Sequence, residues 1–474
     1  MSTRIAGALW ALGLRPGDRV TVQAEKSVEH LILYFACLRA GLVFQPLNTS
    51  YQPAELEYFF VDAQPACVIC APDAADTLGP LARAAGVPHL LTLSARGDGT
   101  LVEAAQHATG APDVIDRSTE DVAAILYSSG TTGRPKGAML SHGNLASNGR
   151  TLAEAWGFTP TDRLLHALPL YHAHGLFVAV SCTLLSGGSM LFLPRFEAGE
   201  VVTLLPQATV FMGVPTYYSR LLSDPALGPE ACRGIRLFVS GSAPLLADTF
   251  ETFQRRTGHA ILERYGLTET LMNTSNPLVG ERVPGSVGPA LPGVSVRIAA
   301  PDGLERPPGE TGEIQVRGPN VFAGYWRKPE QTAESFTADG WFRTGDLGRI
   351  DGRGYVFIVG RAKDLIISGG LNVYPKEVED CIDSLDGVAE SAVVGIRHPD
   401  FGEAVAAVVV CRDGAAPIAE AEVIGHVRGR LAAFKAPKRV VFLSSLPRNA
   451  MGKVVKQALR DLLASENGKP SRSR

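Results

Sequence analysis

The sequence has almost no excess of either charge: 45 lysines and arginines stand against 48 aspartates and glutamates, a formal net charge of -3 over 474 residues. Such a chain has no electrostatic reason to bind nucleic acid or an anionic membrane, so a small diffusible ligand is the better partner. Cysteines are few and odd in number. The seven are scattered from Cys37 to Cys411, which argues for reduced thiols in the cytoplasm rather than a disulfide framework. Cys67 and Cys70 form a CxxC pair, but they flank Val68 and Ile69 with no second Cys/His pair nearby. A buried strand is expected there, and a zinc site is not.

Long hydrophobic runs are also missing. The longest apolar stretch, residues 175–193, is broken by Ser181, Thr183, Ser186, Gly187, Gly188 and Ser189. That predicts a buried helix, a glycine break and a strand, not a membrane span. Residues 5–14 are apolar too, but only Arg4 precedes them and Arg15-Pro16-Gly17-Asp18-Arg19 follows where a signal peptide needs small residues. A helix ending at a turn is expected. No internal repeat is found.

What is present is ordinary for a folded protein: 45% hydrophobic and 20% charged residues. The length calls for two or more packed units. Short runs such as Val20-Thr21-Val22, Cys67-Val68-Ile69-Cys70 and Leu237-Phe238-Val239 alternate with helical stretches at 28–39 and 247–256, the pattern of an α/β fold with parallel, doubly wound sheets. Around residues 280–318 strands and Pro/Gly turns take over, suggesting an antiparallel or barrel-like section. Glycines 352, 354 and 360 then punctuate a boundary, giving a large unit over 1–361 and a small α+β unit over 362–474. The polar tail from Glu466 is expected to be disordered.

Chemistry is concentrated first in residues 127–137. An apolar strand, 122–126, runs into a loop bearing Ser128, Ser129, Gly130, Thr131, Thr132, Gly133, Lys136 and Gly137. Successive backbone amides and hydroxyls of that kind can wrap phosphate oxygens. A Walker A loop requires Gly-Lys followed by Ser or Thr; here Pro135 precedes Lys136 and Gly137 follows, so that motif is excluded. A purely structural Gly/Ser turn is the bland alternative.

This loop is similar to the signature of the adenylate-forming superfamily, which includes acyl-CoA synthetases, peptide-synthetase adenylation domains and luciferases. Tyr265-Gly266-Leu267-Thr268-Glu269-Thr270, Trp341-Phe342-Arg343-Thr344-Gly345-Asp346, Gly360-Arg361-Ala362-Lys363-Asp364 and Pro447-Arg448-Asn449-Ala450-Met451-Gly452-Lys453 follow in the family's order across nearly the whole chain. Singly, Glu269 reads as a helix N-terminal carboxylate, Asp346 as a turn residue and Lys453 as a solvated lysine. The ordered series reverses those odds.

The resemblance implies an enzyme that joins a carboxylic acid to coenzyme A at the expense of ATP, through an acyl-adenylate. Two anions meet in the first step, so a metal and fixed donors are needed more than a strong base. Glu269 resembles the family's Mg2+ ligand, with Thr131 beside it, and Thr131 and Thr268 resemble phosphate contacts. Gly241-Ser242-Ala243-Pro244, Tyr265 and Gly266 resemble the adenine walls. Asp346 resembles the ribose-binding aspartate, with Arg361 near the same sugar. Lys453 resembles the lysine that bridges carboxylate and α-phosphate, His172 the residue that orients the acyl group, and Lys363 the hinge of a mobile C-terminal domain. Gly369 would border the pantetheine channel, and His174 reads as a packing neighbour.

Residues 264–285 look most like the malonyl-CoA synthetase branch. A dicarboxylate needs a cation for its distal end, for which Arg282 and then Arg236 are the candidates, with Ser275 nearby. Two other readings stay open: a broader short-chain or coumarate-type acid ligase, and a truncated nucleotide-binding relative. Family members usually carry a further segment before the helix leading into Gly17-Asp18-Arg19-Val20, so the resemblance implies a first unit lacking that segment. If Lys453 bridges the two anions, Lys453→Ala abolishes adenylate formation but still converts a supplied acyl-adenylate to thioester. Diphosphate-exchange and single-step thioesterification assays check this.

Overall fold

The computed structural model describes residues 1–466, apart from 109, 111–112, 130–133, 244, 246, 362–365, 374, 413, 415 and 448–453. Two compact units are formed, one from Met1–Thr49, Leu56–Ser128 and Lys136–Gly360, the other from Ser50–Glu55, Ser129–Pro135 and Arg361–Arg474.

The first unit holds two largely parallel sheets. One has seven strands, in the order Gly324–Tyr325, Pro135–Ser141, Val122–Ser129, Val43–Pro46, Arg19–Gln23, Cys67–Cys70 and His89–Thr92. The CxxC pair is a buried strand of this sheet. The apolar N-terminal stretch is helix Ser2–Ala11, whose buried side packs in the same core as helix Val28–Arg39. That second helix is started by Ser27, whose side chain accepts from the His30 amide.

The second sheet has six strands, ordered Leu271–Ser275, Leu262–Leu267, Leu237–Ser240, Val210–Gly213, Arg163–His166 and Ser189–Phe192. Side chains of a strand alternate between its faces, and here both faces are apolar. Leu164, Val210, Met212, Leu237 and Val239 join a core with Trp156 and Cys182, whereas Leu165, Phe211 and Phe238 join another with Tyr218 and Phe253. The interrupted stretch 175–193 becomes a π-helical turn over His174–Ala179, helix Val180–Leu185, a left-handed Gly187 and the strand Ser189–Phe192. The π-helical turn was not foreseen; such wide turns are rare and collect at functional sites.

Beyond residue 290 the texture changes as expected. Ser295–Ala299, Gly312–Arg317, Phe342–Ile350 and Val356–Arg361 form a four-stranded sheet, antiparallel across its first two pairings. The second unit has its own sheet around the hairpin of Val388–His398 and Gly402–Cys411, flanked by helices Pro375–Asp383 and Glu420–Arg428. Within it the buried Lys435 donates to Glu377 at 2.8 Å and to Glu55 at 2.9 Å, which ties residues 50–55 to this unit. Among the described residues no helix is long and apolar enough to cross a membrane.

One turn of the six-stranded sheet matters most. Strands Leu262–Leu267 and Leu271–Ser275 pair antiparallel, with Leu267 opposite Leu271, so only Thr268, Glu269 and Thr270 connect them. Leu271 sits in the left-handed region at φ 49°, the conformation that closes a three-residue hairpin. The strands approach so closely that a Cβ at Gly266 would lie 1.7 Å from the Leu271 carbonyl oxygen. Asn320 and Asn273 brace the turn through their Nδ2 groups, to the Thr270 carbonyl at 2.6 Å and to Thr270 Oγ1 at 2.8 Å respectively. Gly266→Ala is therefore expected to destabilise the first unit by about 2–3 kcal/mol, read as a lower urea midpoint.

Candidate active site

The hairpin sorts its functional groups by strand alternation. Leu262 belongs to the core of Val178, Ala179 and Cys182, and Arg264, two residues on, shares its face. Glu263 points to the other face, where its Oε1 accepts the Leu245 amide at 3.2 Å. Burial raises its carboxyl to about 8, so it is mainly protonated at neutral pH.

Arg264 is 3% exposed, and its Nε and Nη2 have no hydrogen-bond partner among the described residues. Burial lowers its guanidinium to about 9, which still leaves it charged at neutral pH. A Cβ at Gly241 would lie 2.4 Å from Arg264 Cζ, so the glycine of the Gly241-Ser242-Ala243 segment makes room for this cation. Ser242, at φ 72°, turns the chain there and contacts His174 Nδ1 at 3.4 Å. His172 and His174 both feel the positive charge of Arg264. Burial first, and that charge second, hold His172 down at about 4 and His174 well below the usual imidazole value. The His174 amide donates to His172 Nδ1 at 3.2 Å. That bond fixes the neutral tautomer with its proton on Nε2.

Tyr265 lies on the face of this strand opposite Arg264. The Tyr265 hydroxyl donates to Asp346 Oδ2 at 2.6 Å, and both residues are buried. Glu269 Oε1 accepts from Ser128 Oγ at 2.6 Å and from the Tyr325 hydroxyl at 3.1 Å. Lys136, mostly buried, lies 5.0 Å over the Tyr325 ring. The strand feeding the loop is anchored by the Tyr127 hydroxyl on Asp62 at 2.6 Å. Gly130, Thr131, Thr132, Gly133, Pro244, Lys363 and Lys453 lie outside the described residues; Ser129 and Arg361 close their strands. Gly369 adopts φ 59° in the turn after Ile366–Ser368.

The donor set suits Mg2+. No group of three or more His, Cys, Asp or Glu residues could hold a metal among the described residues. A lone carboxylate such as Glu269 holds this ion where a substrate's phosphates and water supply the remaining ligands.

The chain matches the model of the AMP-binding enzymes over residues 1–326 and that of the AMP-binding enzyme C-terminal domain over residues 377–453. It belongs to the AMP-binding enzyme family. It is 40% identical to a feruloyl-CoA synthase of Amycolatopsis sp over 462 residues, covering 96% of this chain and 91% of that protein. It is 38% identical to a mitochondrial malonate–CoA ligase of Mus musculus over 487 residues, covering 94% and 82%. The ATP-bound structure of MatB from Rhodopseudomonas palustris superposes with a TM-score of 0.76 at 57% identity, covering 97% of this chain and 92% of that one. The protein is thus an AMP-forming acid–CoA ligase that uses ATP and coenzyme A, close to the malonyl-CoA synthetases.

Within this AMP-binding enzyme the arginines expected at the acid have protein partners of their own. Arg236 donates through Nε and Nη2 to the two oxygens of buried Asp162, at 2.7 and 2.8 Å, and through Nη1 to the Trp156 carbonyl. Arg282 is turned onto the carbonyls of Pro277, Ala260 and Leu278. Ser275 Oγ accepts from the Trp156 indole at 2.9 Å and donates to the Asn276 carbonyl at 2.8 Å. Each of these groups secures a loop or strand end. Arg264 and Tyr325 are not among the site residues expected from the sequence. The signal for Arg264 was present as a charge inside an apolar strand, one residue before Tyr265. Arg236→Ala should leave buried Asp162 without its counter-charge, held only by Thr209 and Thr159, and cost about 2–3 kcal/mol of stability, seen as a lower urea midpoint, with the KM for the acid unchanged within about twofold.

Proposed function

We propose that this ligase activates a short dicarboxylic acid, malonate or methylmalonate, and that Arg264 binds the distal carboxylate. The observation that carries the reading is a fully buried guanidinium whose Nε and Nη2 have no partner among the described residues. Leaving such donors unpaired beside an aromatic ring would cost several kcal/mol, which disfavours an aryl acid despite the feruloyl-CoA synthase relative. A carboxylate paired with the guanidinium fork removes that cost.

In the first half-reaction the proximal carboxylate oxygen attacks the α-phosphorus of ATP. A P–O bond forms, the bond to the β-phosphate breaks, and diphosphate leaves with the electron pair. Lys453 bridges the two anions. Thr131, Thr132, Lys136 and the glycines of the loop hold the phosphates, and Asp346, positioned by Tyr265, takes the ribose. Glu269 would supply the protein's carboxylate to Mg2+, which would neutralise phosphate charge when bound. His172, neutral with a proton on Nε2, offers a donor near the reacting carbonyl without adding a second cation beside Arg264. In the second half-reaction the thiolate of coenzyme A attacks the acyl carbon and AMP departs. The hinge at Lys363 and the turn at Gly369 belong to this thiol-facing step.

AMP release should be measured with coenzyme A and malonate, methylmalonate, succinate, acetate or coumarate. Malonate or methylmalonate should give the highest kcat/KM. Turnover on none of the acids would favour a nucleotide-binding relative, and preference for coumarate would reject the dicarboxylate reading. Arg264→Met is expected to lower kcat/KM for malonate by roughly 30-fold or more, the loss of a buried charge pair, with ATP binding intact. Unchanged malonate kinetics in that variant would remove Arg264 from the role.

A further inference from the structure

The Glu269 carboxylate is held by one oxygen only. Oε1 takes the Ser128 hydroxyl at 2.6 Å and the Tyr325 hydroxyl at 3.1 Å, while Oε2 has no hydrogen bond among the described residues. The terminal torsion of a glutamate is broad, so an unheld carboxylate samples many orientations. Two donors on the same oxygen stop that rotation and leave the second oxygen as a fixed anionic donor.

The segment that supplies Tyr325 grips Glu269 twice. The Phe322 amide donates to the Glu269 carbonyl at 2.8 Å, fixing the backbone of the turn, and three residues later Tyr325 fixes the side chain. Tyr325 is itself rigidly placed. It is 9% exposed, and its ring meets Phe322 edge-on at a centroid distance of 4.8 Å. Its amide donates to Thr332 Oγ1 at 2.9 Å, and its short strand pairs with Ala138 and Met139 of the strand that carries Lys136. The tyrosine therefore connects the strand leaving the phosphate loop to the carboxylate across the site.

We infer that Tyr325 is a positioning residue for metal binding: its hydroxyl orients Glu269 so that Oε2 meets the divalent cation that accompanies ATP. This rests on the reading of Glu269 as the metal's carboxylate ligand. Partners of this outer kind set ligand orientation, and their loss typically weakens metal affinity by about 10- to 100-fold.

The test is a Mn2+ titration followed by electron paramagnetic resonance, with a non-hydrolysable ATP analogue bound to the full-length protein. Wild type, Tyr325→Phe, Glu269→Gln and the double variant are compared. Tyr325→Phe keeps the ring and its contacts with Phe322 and Lys136, so folding is preserved and only the hydroxyl is lost. It should weaken Mn2+ binding about tenfold while the metal-free affinity for the analogue stays within about twofold. Because Tyr325 acts through Glu269, the double variant should bind Mn2+ no more weakly than Glu269→Gln alone. Wild-type Mn2+ affinity in Tyr325→Phe, or losses that multiply in the double variant, would overturn the inference while leaving the metal role of Glu269 standing. Unchanged affinity in Glu269→Gln would instead overturn that role, and the inference with it.

Discussion

The site depends on one close approach, the Gly266 backbone against the Leu271 carbonyl. Because no side chain intervenes, two strands of the six-stranded sheet can be joined by three residues, and Glu269 is carried at the tip of a turn with little freedom. Strand alternation then directs neighbouring residues to different tasks. Glu263 supports the segment entering the helix Ala247–Thr257, Arg264 enters the interior beside the histidines, and Tyr265 meets Asp346. A one-residue slip in this hairpin would exchange the faces and scatter the set.

Holding Arg264 in the interior is the most expensive feature of the site. An uncompensated buried cation is tolerated when something else in the molecule or its ligand restores the balance. Burial keeps both imidazoles unprotonated at neutral pH, so they add no second cation, while Glu263, largely protonated, supplies no anion to offset the guanidinium. The strain is of the kind expected where a binding group is prepared ahead of its partner.

Much of the fold was legible from periodicity. Helix Val28–Arg39 and the strand Cys67–Cys70 fall where apolar spacing and β-branched runs indicate, and the change to an antiparallel section follows the glycines and prolines after residue 280. The motif series likewise directed attention to Glu269, Asp346 and His172. The arginines were harder to read, because a guanidinium's partner is a fact of tertiary structure. Asp162 lies 74 residues from Arg236, and nothing local announces that the two meet. Arg282 is captured by carbonyls of its own loop, which any sequence would offer. Tyr325 sits in a two-residue strand whose register decides whether its hydroxyl reaches Glu269, and no composition rule encodes that. The π-helical turn at His174–Ala179 was equally hidden, since its residues are apolar enough for an ordinary buried helix.

Gly241 and Arg264 occupy, in effect, one volume. A methyl group at position 241 would fall inside the guanidinium, so position 241 cannot enlarge while the Arg264 side chain stays where it is. A lineage that enlarges position 241 must move or shorten the side chain at 264, and an arginine fits in its present place only beside the glycine. The pair is thus expected to evolve as a unit, with single-step intermediates selected against. An evolutionary change that altered one of these positions would leave a recognisable compensating change 23 residues away, on the next strand of the same sheet.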